Sequence, residues 1–170
     1  LGMNLRMHPL GAAILSPQLD NFEATMRDRR YSASMLYQAV SDLDGLSCIE
    51  IDSVKSPAWY AFPIIFDDTK FSCALDEFVA YINQIGAKEA DIPGSTRPLY
   101  HYSIFRNPGL VLNSYQGLES CFTRNSGPFP NSEKFFGSMF KLPTWYGSDK
   151  NMYIKFYIEA LKEAVKKYRK

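Results

Sequence analysis

GMNLRMHPLGAAILSPQL, residues 2–19, is the stretch whose reading decides the fold. Asn4 and Arg6 stand ahead of a small-residue run from Pro9 to Leu15 that reads as helix. Ser16-Pro17 is expected to interrupt it, because Ser caps a new helix and Pro suits its first position. The segment reads like the approach to a functional helix entered midway, since no initiator Met, turn or strand prepares Asn4 and Arg6.

Working outward, Phe22, Met26, Ala33, Leu36, Tyr37 and Val40 recur at three- and four-residue spacings, one apolar face, with Arg27, Asp28 and Arg30 largely opposite. Asp44-Gly45 ends this helix. Ser47 to Ile51 suits a short strand. AWYAFPIIF, Ala58 to Phe66, is aromatic and β-branched and is the best strand candidate. Pro63 inside it removes a ladder donor, which predicts an edge position or a local irregularity. A helix is expected from Ser72, with Leu75, Phe78, Val79 and Ile82 inward, and Gly86 sits where a helix-ending residue of positive φ is wanted. From Asp91 to Pro143, Pro and Gly punctuate a long stretch of little periodicity, interrupted by a short helix from Ser132 to Met139. Ser148 is placed to cap a final helix whose inner face is Tyr153, Phe156, Tyr157, Ala160, Leu161, Ala164, Val165 and Tyr168. The expected class is α+β: a small antiparallel sheet covered by helices, with a long irregular loop region and a long C-terminal helix.

The chain has 170 residues, 46% hydrophobic and 15% aromatic, which excludes a disordered or low-complexity polypeptide. A net charge of +1 gives no electrostatic argument for nucleic acid or an anionic membrane, and the terminal KKYRK suits a helix end. Cys48, Cys73 and Cys121 have no metal-ligand spacing and read as free thiols of a reducing compartment. With no apolar run of about 20 residues and no signal-peptide pattern, the expectation is a soluble, cytoplasmic chain.

Chemistry that could stand alone is hard to find. Phosphate-binding, dinucleotide, zinc-protease and nucleophile-elbow motifs are absent. The two histidines, His8 and His101, are far apart, and Asp67-Asp68 after a strand reads as a solvated turn.

The opening segment nevertheless resembles one in the DegT/StrS-type sugar aminotransferases, pyridoxal-phosphate (PLP) enzymes of aspartate-aminotransferase fold (fold type I). The matching positions are Gly2, Asn4, Arg6, Met7, Ala12, Ala13, Gln18 and Leu19. The resemblance continues through DRRYSASMLYQAV, AWYAFPIIF and IGAKEADIPGSTRPLYHYSIF, and ends with FPNSEKFFGSMFKLPTWYGSDKNMYIKFYIEAL. It implies the small C-terminal domain of such an enzyme over residues 21–170. Residues 1–20 are then the tail of the large PLP-binding domain and a linking helix.

What is implied can be carried over by residue. Asn4 matches the Asn that reaches the cofactor phosphate of the other subunit, and an amide is suited to donate to a phosphate oxygen. Arg6 is a second candidate there. Where the family has Pro-Leu-His near the sugar, this chain has Pro98, Leu99 and Tyr100, with His101 one residue late. Tyr100 could donate to a sugar hydroxyl, and His101 could substitute for the family His. Glu133 and Pro143 match motif positions that read as structural. The Schiff-base Lys and the carboxylate that protonates the pyridine lie, in the family, N-terminal to the Asn motif. None of this chain's eleven lysines stands in a recognisable cofactor setting. No catalytic residue is therefore assigned, and the chain alone is expected to be inactive.

Two readings remain at this point. In the first, the chain is the C-terminal portion of an aminotransferase passing an amino group from glutamate or glutamine to a keto sugar or cyclitol. Its expected partners are a missing N-terminal PLP-binding domain, a homodimer partner and the keto-sugar substrate, with no nucleic acid and no membrane. A PLP-dependent sugar dehydratase of the same fold is a close variant. In the second, it is a free-standing, non-catalytic binding domain on the same scaffold. A half-enzyme should expose an apolar face where its other parts belong; a free-standing domain should not.

Overall fold

The computed structural model describes residues 7–50, 57–106 and 128–170. Asn4, Arg6, Cys121 and the end of the first expected strand, Ile51, lie outside the described residues. The elements are α1 (Pro9–Asp20), α2 (Phe22–Ser41), β1 (Leu46–Cys48), β2 (Ala61–Phe66), α3 (Leu75–Gln84), α4 (Ser103–Arg106), α5 (Pro130–Ser138), β3 (Met139–Pro143) and α6 (Lys150–Tyr168). Two 3-10 turns, Gly94–Thr96 and Leu99–His101, lie between α3 and α4.

The first helix corrects the expected break. α1 runs straight through Ser16-Pro17, and the chain instead breaks at Asn21, whose φ of −98° and ψ of 3° leave the helical region. Pro17 has no N–H to give and frees the carbonyl of Ala13 one turn back, but both residues are exposed, so solvent can reach that group. The Asn21 side chain then donates to the Pro17 carbonyl at 2.9 Å and closes the end. His8 caps the start, its Nδ1 accepting from the Leu10 N–H at 3.2 Å, and Pro9 follows at the first position. No residue of α1 is buried.

The sheet has the order β1-β2-β3, both pairs antiparallel. Leu46 faces Phe66, Ile64 faces Phe140 and Phe62 faces Leu142, so these six side chains share one face, and all are buried. Pro63 lies in the middle strand, opposite Lys141 of β3. Because β1 ends at Cys48, opposite Ile64, the middle strand is locally an edge at Pro63. A residue without an N–H is tolerated there. β3 corrects the expected irregular stretch: MFKLP is short, and its alternation of buried Phe140 and Leu142 with Lys141 and Pro143 covers only four residues, with Met139 buried out of phase.

α2 and α3 pack against α6, and α2 also meets β1 and β2. Phe78, Ile82, Leu36, Val40 and Leu161 meet the sheet in one cluster. The inner face of α6 is turned from the expected one. Ile154 and Ile158 are buried, while Tyr153 and Phe156 are exposed by 43% and 45%. Tyr157, Ala160, Leu161, Ala164 and Val165 are buried as expected. The 3.6-residue period allows stripes on either side of this shared centre, and the packing of α2 and α3 selects one. Ser148 does not cap α6; its hydroxyl bonds the carboxylate of Asp149, the residue at the cap position.

Polar contacts lock α2 to the β3–α6 connection. The fully buried Ser32 hydroxyl donates to the Trp145 carbonyl at 2.7 Å. Arg29 reaches the Trp59 carbonyl at 3.0 Å and the Thr144 hydroxyl at 3.2 Å. Asp28 pairs with Lys150 at 3.2 Å and accepts from the Gly147 N–H at 3.0 Å. The terminal basic run is built into the fold: Arg169 pairs with Asp44 at 3.1 Å, and Lys167 lies 3.5 Å from the Tyr81 ring centre.

Candidate functional site

The excursion after α3 is held at its start by Asp91. Asp91 and Lys141 exchange backbone hydrogen bonds of 3.1 and 2.8 Å, and their side chains pair at 3.3 Å. Pro93 and Pro98 are buried and pin the next turns. Between them the loop satisfies its own carbonyls: Thr96 donates to Pro93, Arg97 to Gly94 and Tyr102 to Ser95, each at 2.9 Å. Pro98 opens the 3-10 turn Leu99–His101, closed by the His101 N–H on the Pro98 carbonyl at 2.9 Å. That turn sets the Tyr100 and His101 rings edge to face, with centroids 4.8 Å apart.

α5 completes the arrangement. Pro130 at its first position fixes the entry, and Glu133 falls in the first turn, where the helix dipole favours a carboxylate. The Tyr100 hydroxyl donates to Glu133 Oε1, and His101 Nε2 lies 2.6 Å from the same oxygen. The Tyr100 hydroxyl also accepts from the Phe129 N–H at 3.3 Å. Arg106 holds the Tyr100 carbonyl at 2.8 Å, and the Phe136 ring stands 6.4 Å from that of His101. Both substrate-side candidates from the sequence therefore meet at one carboxylate. Glu133, expected from its motif position to be structural, joins them, and its place three residues after Pro130 is the signal the sequence offers.

Hydrogen bonding from Tyr100, then from His101, holds the Glu133 carboxyl below its ordinary value, against the opposing effect of burial. Burial, then the bond to Glu133, pushes the Tyr100 hydroxyl up. A depressed carboxyl contributes stability above its unfolded value, near 4.5, and loses it as pH falls through the lower folded value. Tyr100→Phe is accordingly expected to move the Glu133 carboxyl upward, toward 4.5, in a carbon-13 titration of the side-chain carboxyls. An unchanged titration contradicts this.

A cavity of about 390 Å³ flanks the cluster, lined by Ser95, Arg97, Leu99, Ser132, Phe135 and Phe136 among others. That lies within the roughly 300–1,000 Å³ of small-ligand clefts. Phe135 and Phe136 give it an aromatic wall, and Ser95, Arg97 and Ser132 supply polar groups, a lining suited to a ring compound that carries polar substituents.

The described residues do not fit a covalently held cofactor. A Schiff-base Lys works desolvated, in a pocket or beside another cation. None of the described lysines is buried. The half-buried Lys141 and Lys150 are each paired with a carboxylate, Asp91 and Asp28. Among the described residues no group of three or more His, Cys, Asp or Glu is placed to hold a metal, and no helix is long and apolar enough to cross a membrane. Cys48 and Cys73 are free, and burial pushes the Cys48 thiol up to about 11, away from reactive thiolate chemistry.

Solved structures carry the same fold. An aminotransferase from Psychrobacter cryohalolentis superposes with a TM-score of 0.76 at 18% identity, over 98% of this chain and 41% of its own. Helicobacter pylori PseC, an aminotransferase involved in the biosynthesis of pseudoaminic acid, gives 0.72 at 15% identity, over 98% and 40%. The sugar aminotransferase CalS13 from Micromonospora echinospora gives 0.68 at 16%, over 95% and 37%. The chain thus spans about two fifths of the length of these structures. A comparison with curated proteins gives no match. The Asn-Arg opening, the Pro-Leu-Tyr turn and the Glu of α5 fall inside a sequence match over residues 1–153, by which the chain belongs to the DegT/DnrJ/EryC1/StrS aminotransferase family.

Proposed function

We propose that the chain works as the C-terminal portion of a PLP-dependent aminotransferase that moves an amino group from glutamate or glutamine to a keto sugar or cyclitol. Family membership supports the reaction class. The sugar is supported by the likeness to CalS13, a sugar aminotransferase. The observation that carries the proposal is α1. Leu10, Ile14 and Leu19 are exposed by 68%, 64% and 70%, and no residue of the helix is buried. At about 100° per residue Leu10 and Leu19 stand on opposite sides of the helix, and a helix apolar on more than one side belongs among further neighbours, which favours a part of a larger enzyme over a free-standing binding domain.

In this reading residues 1–20 end the PLP-binding domain and link it to residues 21–170, whose core begins at Met26 of α2. The cofactor belongs to the N-terminal domain, with Asn4 and Arg6 serving its phosphate across a homodimer. Tyr100, His101 and Glu133 form part of the wall that faces the sugar. Purified with pyridoxal phosphate and treated with borohydride, the chain is expected to carry no stoichiometric adduct at a single Lys. A full-occupancy adduct at one lysine of this chain overturns the proposed division of labour.

A further inference from the structure

We infer that Glu133 is a positioning residue: by accepting from both Tyr100 and His101 through Oε1 it holds the imidazole hydrogen on Nε2. His101 Nδ1 is thereby left to accept a hydrogen bond from a ligand hydroxyl. The second part rests on reading this wall as sugar-facing, as proposed above.

An ionised carboxylate only accepts, so a nitrogen 2.6 Å from Glu133 Oε1 must carry the hydrogen. Glu133 is kept ionised by its place in the first turn of α5 and by the Tyr100 hydroxyl. Tyr100 has one hydroxyl hydrogen and has given it to Glu133, while the Phe129 N–H takes one of its lone pairs. With the imidazole in its neutral form, what the cluster still offers among the described residues is His101 Nδ1, Glu133 Oε2 and one Tyr100 lone pair. All three accept. The cluster is therefore matched to a ligand that brings donors, such as a polyhydroxylated ring. It is mismatched to a phosphate or carboxylate, which brings acceptors and negative charge to Glu133.

The test is nitrogen-15 spectroscopy of the histidine rings in the full chain at pH 8. The chain has only His8 and His101, so His101→Gln assigns the signals. The expected spectrum shows a slowly exchanging, downfield imidazole proton on Nε2 of His101. Glu133→Gln should abolish that slow proton, and Glu133→Asp should restore part of it, while the core amide signals stay in place. If Glu133→Gln does not fold, the wild-type spectrum still decides, because a hydrogen found on Nδ1 overturns the positioning role. Glucose and inorganic phosphate are then added separately. Glucose is expected to shift the His101 Nδ1 resonance, with the shift lost in Glu133→Gln, and phosphate to leave it unmoved. A phosphate response overturns the acceptor-face inference. A hydrogen fixed on Nε2 with no glucose response upholds Glu133 as the positioning residue and overturns the sugar-wall reading instead.

Discussion

Phe78→Ala is expected to lower the stability of the domain by about 3–5 kcal/mol, the usual cost of emptying a buried aromatic site. Phe78 is fully buried on α3, and its ring lies 5.1, 5.2 and 6.0 Å from those of Phe66, Phe71 and Phe140. Tyr168 at the end of α6 stands 6.2 Å away. One side chain thus joins α3 to the middle strand, to β3 and to the C-terminal helix. Truncation removes apolar burial, leaves a cavity among the neighbouring rings, and forfeits aromatic pairs, tilted with Phe66 and Phe71 and edge-to-face with Phe140, worth about 0.5–1.5 kcal/mol each. Against a total of roughly 5–15 kcal/mol, that places the variant near the limit of folding. Urea unfolding followed by the fluorescence of Trp59 and Trp145 measures it. A loss below about 1 kcal/mol contradicts the packing described.

Gly45→Ala is the second large effect, and its cause is different. Gly45 has φ +92°, where a side chain costs about 1–2 kcal/mol. A Cβ there would also lie 2.6 and 2.7 Å from the Phe71 ring and 2.9 Å from Lys70 Cβ. Phe71 is 2% exposed and stacked on Phe66 at 4.6 Å, so it has nowhere to retreat, and such overpacking costs about 1–3 kcal/mol. Together the loss should be about 2–5 kcal/mol. Gly147→Ala is the internal control, because φ is +88° but nothing lies within 4 Å of the added carbon. It should show only the conformational cost, about 1–2 kcal/mol. Equal losses at the two positions would contradict the steric part.

The elements legible in the sequence are those whose burial is decided locally. α2, α3 and the body of α6 carry apolar residues at helical spacing, and Gly86 marks the end of α3 with φ +111°. Where two patterns are equally periodic, the neighbours decide. That is why Ile154 and Ile158, rather than Tyr153 and Phe156, line the core. β3 is not legible because four alternating residues, Phe140 to Pro143, are too short a signal until β2 is there to pair with them. Pro17 looks like a break because propensity names the cost of a proline but not whether solvent reaches the carbonyl it frees. Tyr100 and His101 stand out only through the resemblance of Pro98, Leu99 and Tyr100 to the family's Pro-Leu-His passage. Glu133 could not be joined to them from sequence, since more than thirty residues intervene and only the fold brings its carboxylate under both side chains.

The central claim, that this chain is one part of an aminotransferase, is tested most directly by the coding DNA immediately upstream of the Leu1 codon. The account predicts an open frame continuing through a strand-rich domain that contains a cofactor Lys and an Asp for the pyridine nitrogen. A stop codon followed by a start signal just before Leu1 would contradict it and make the free-standing binding domain the better description.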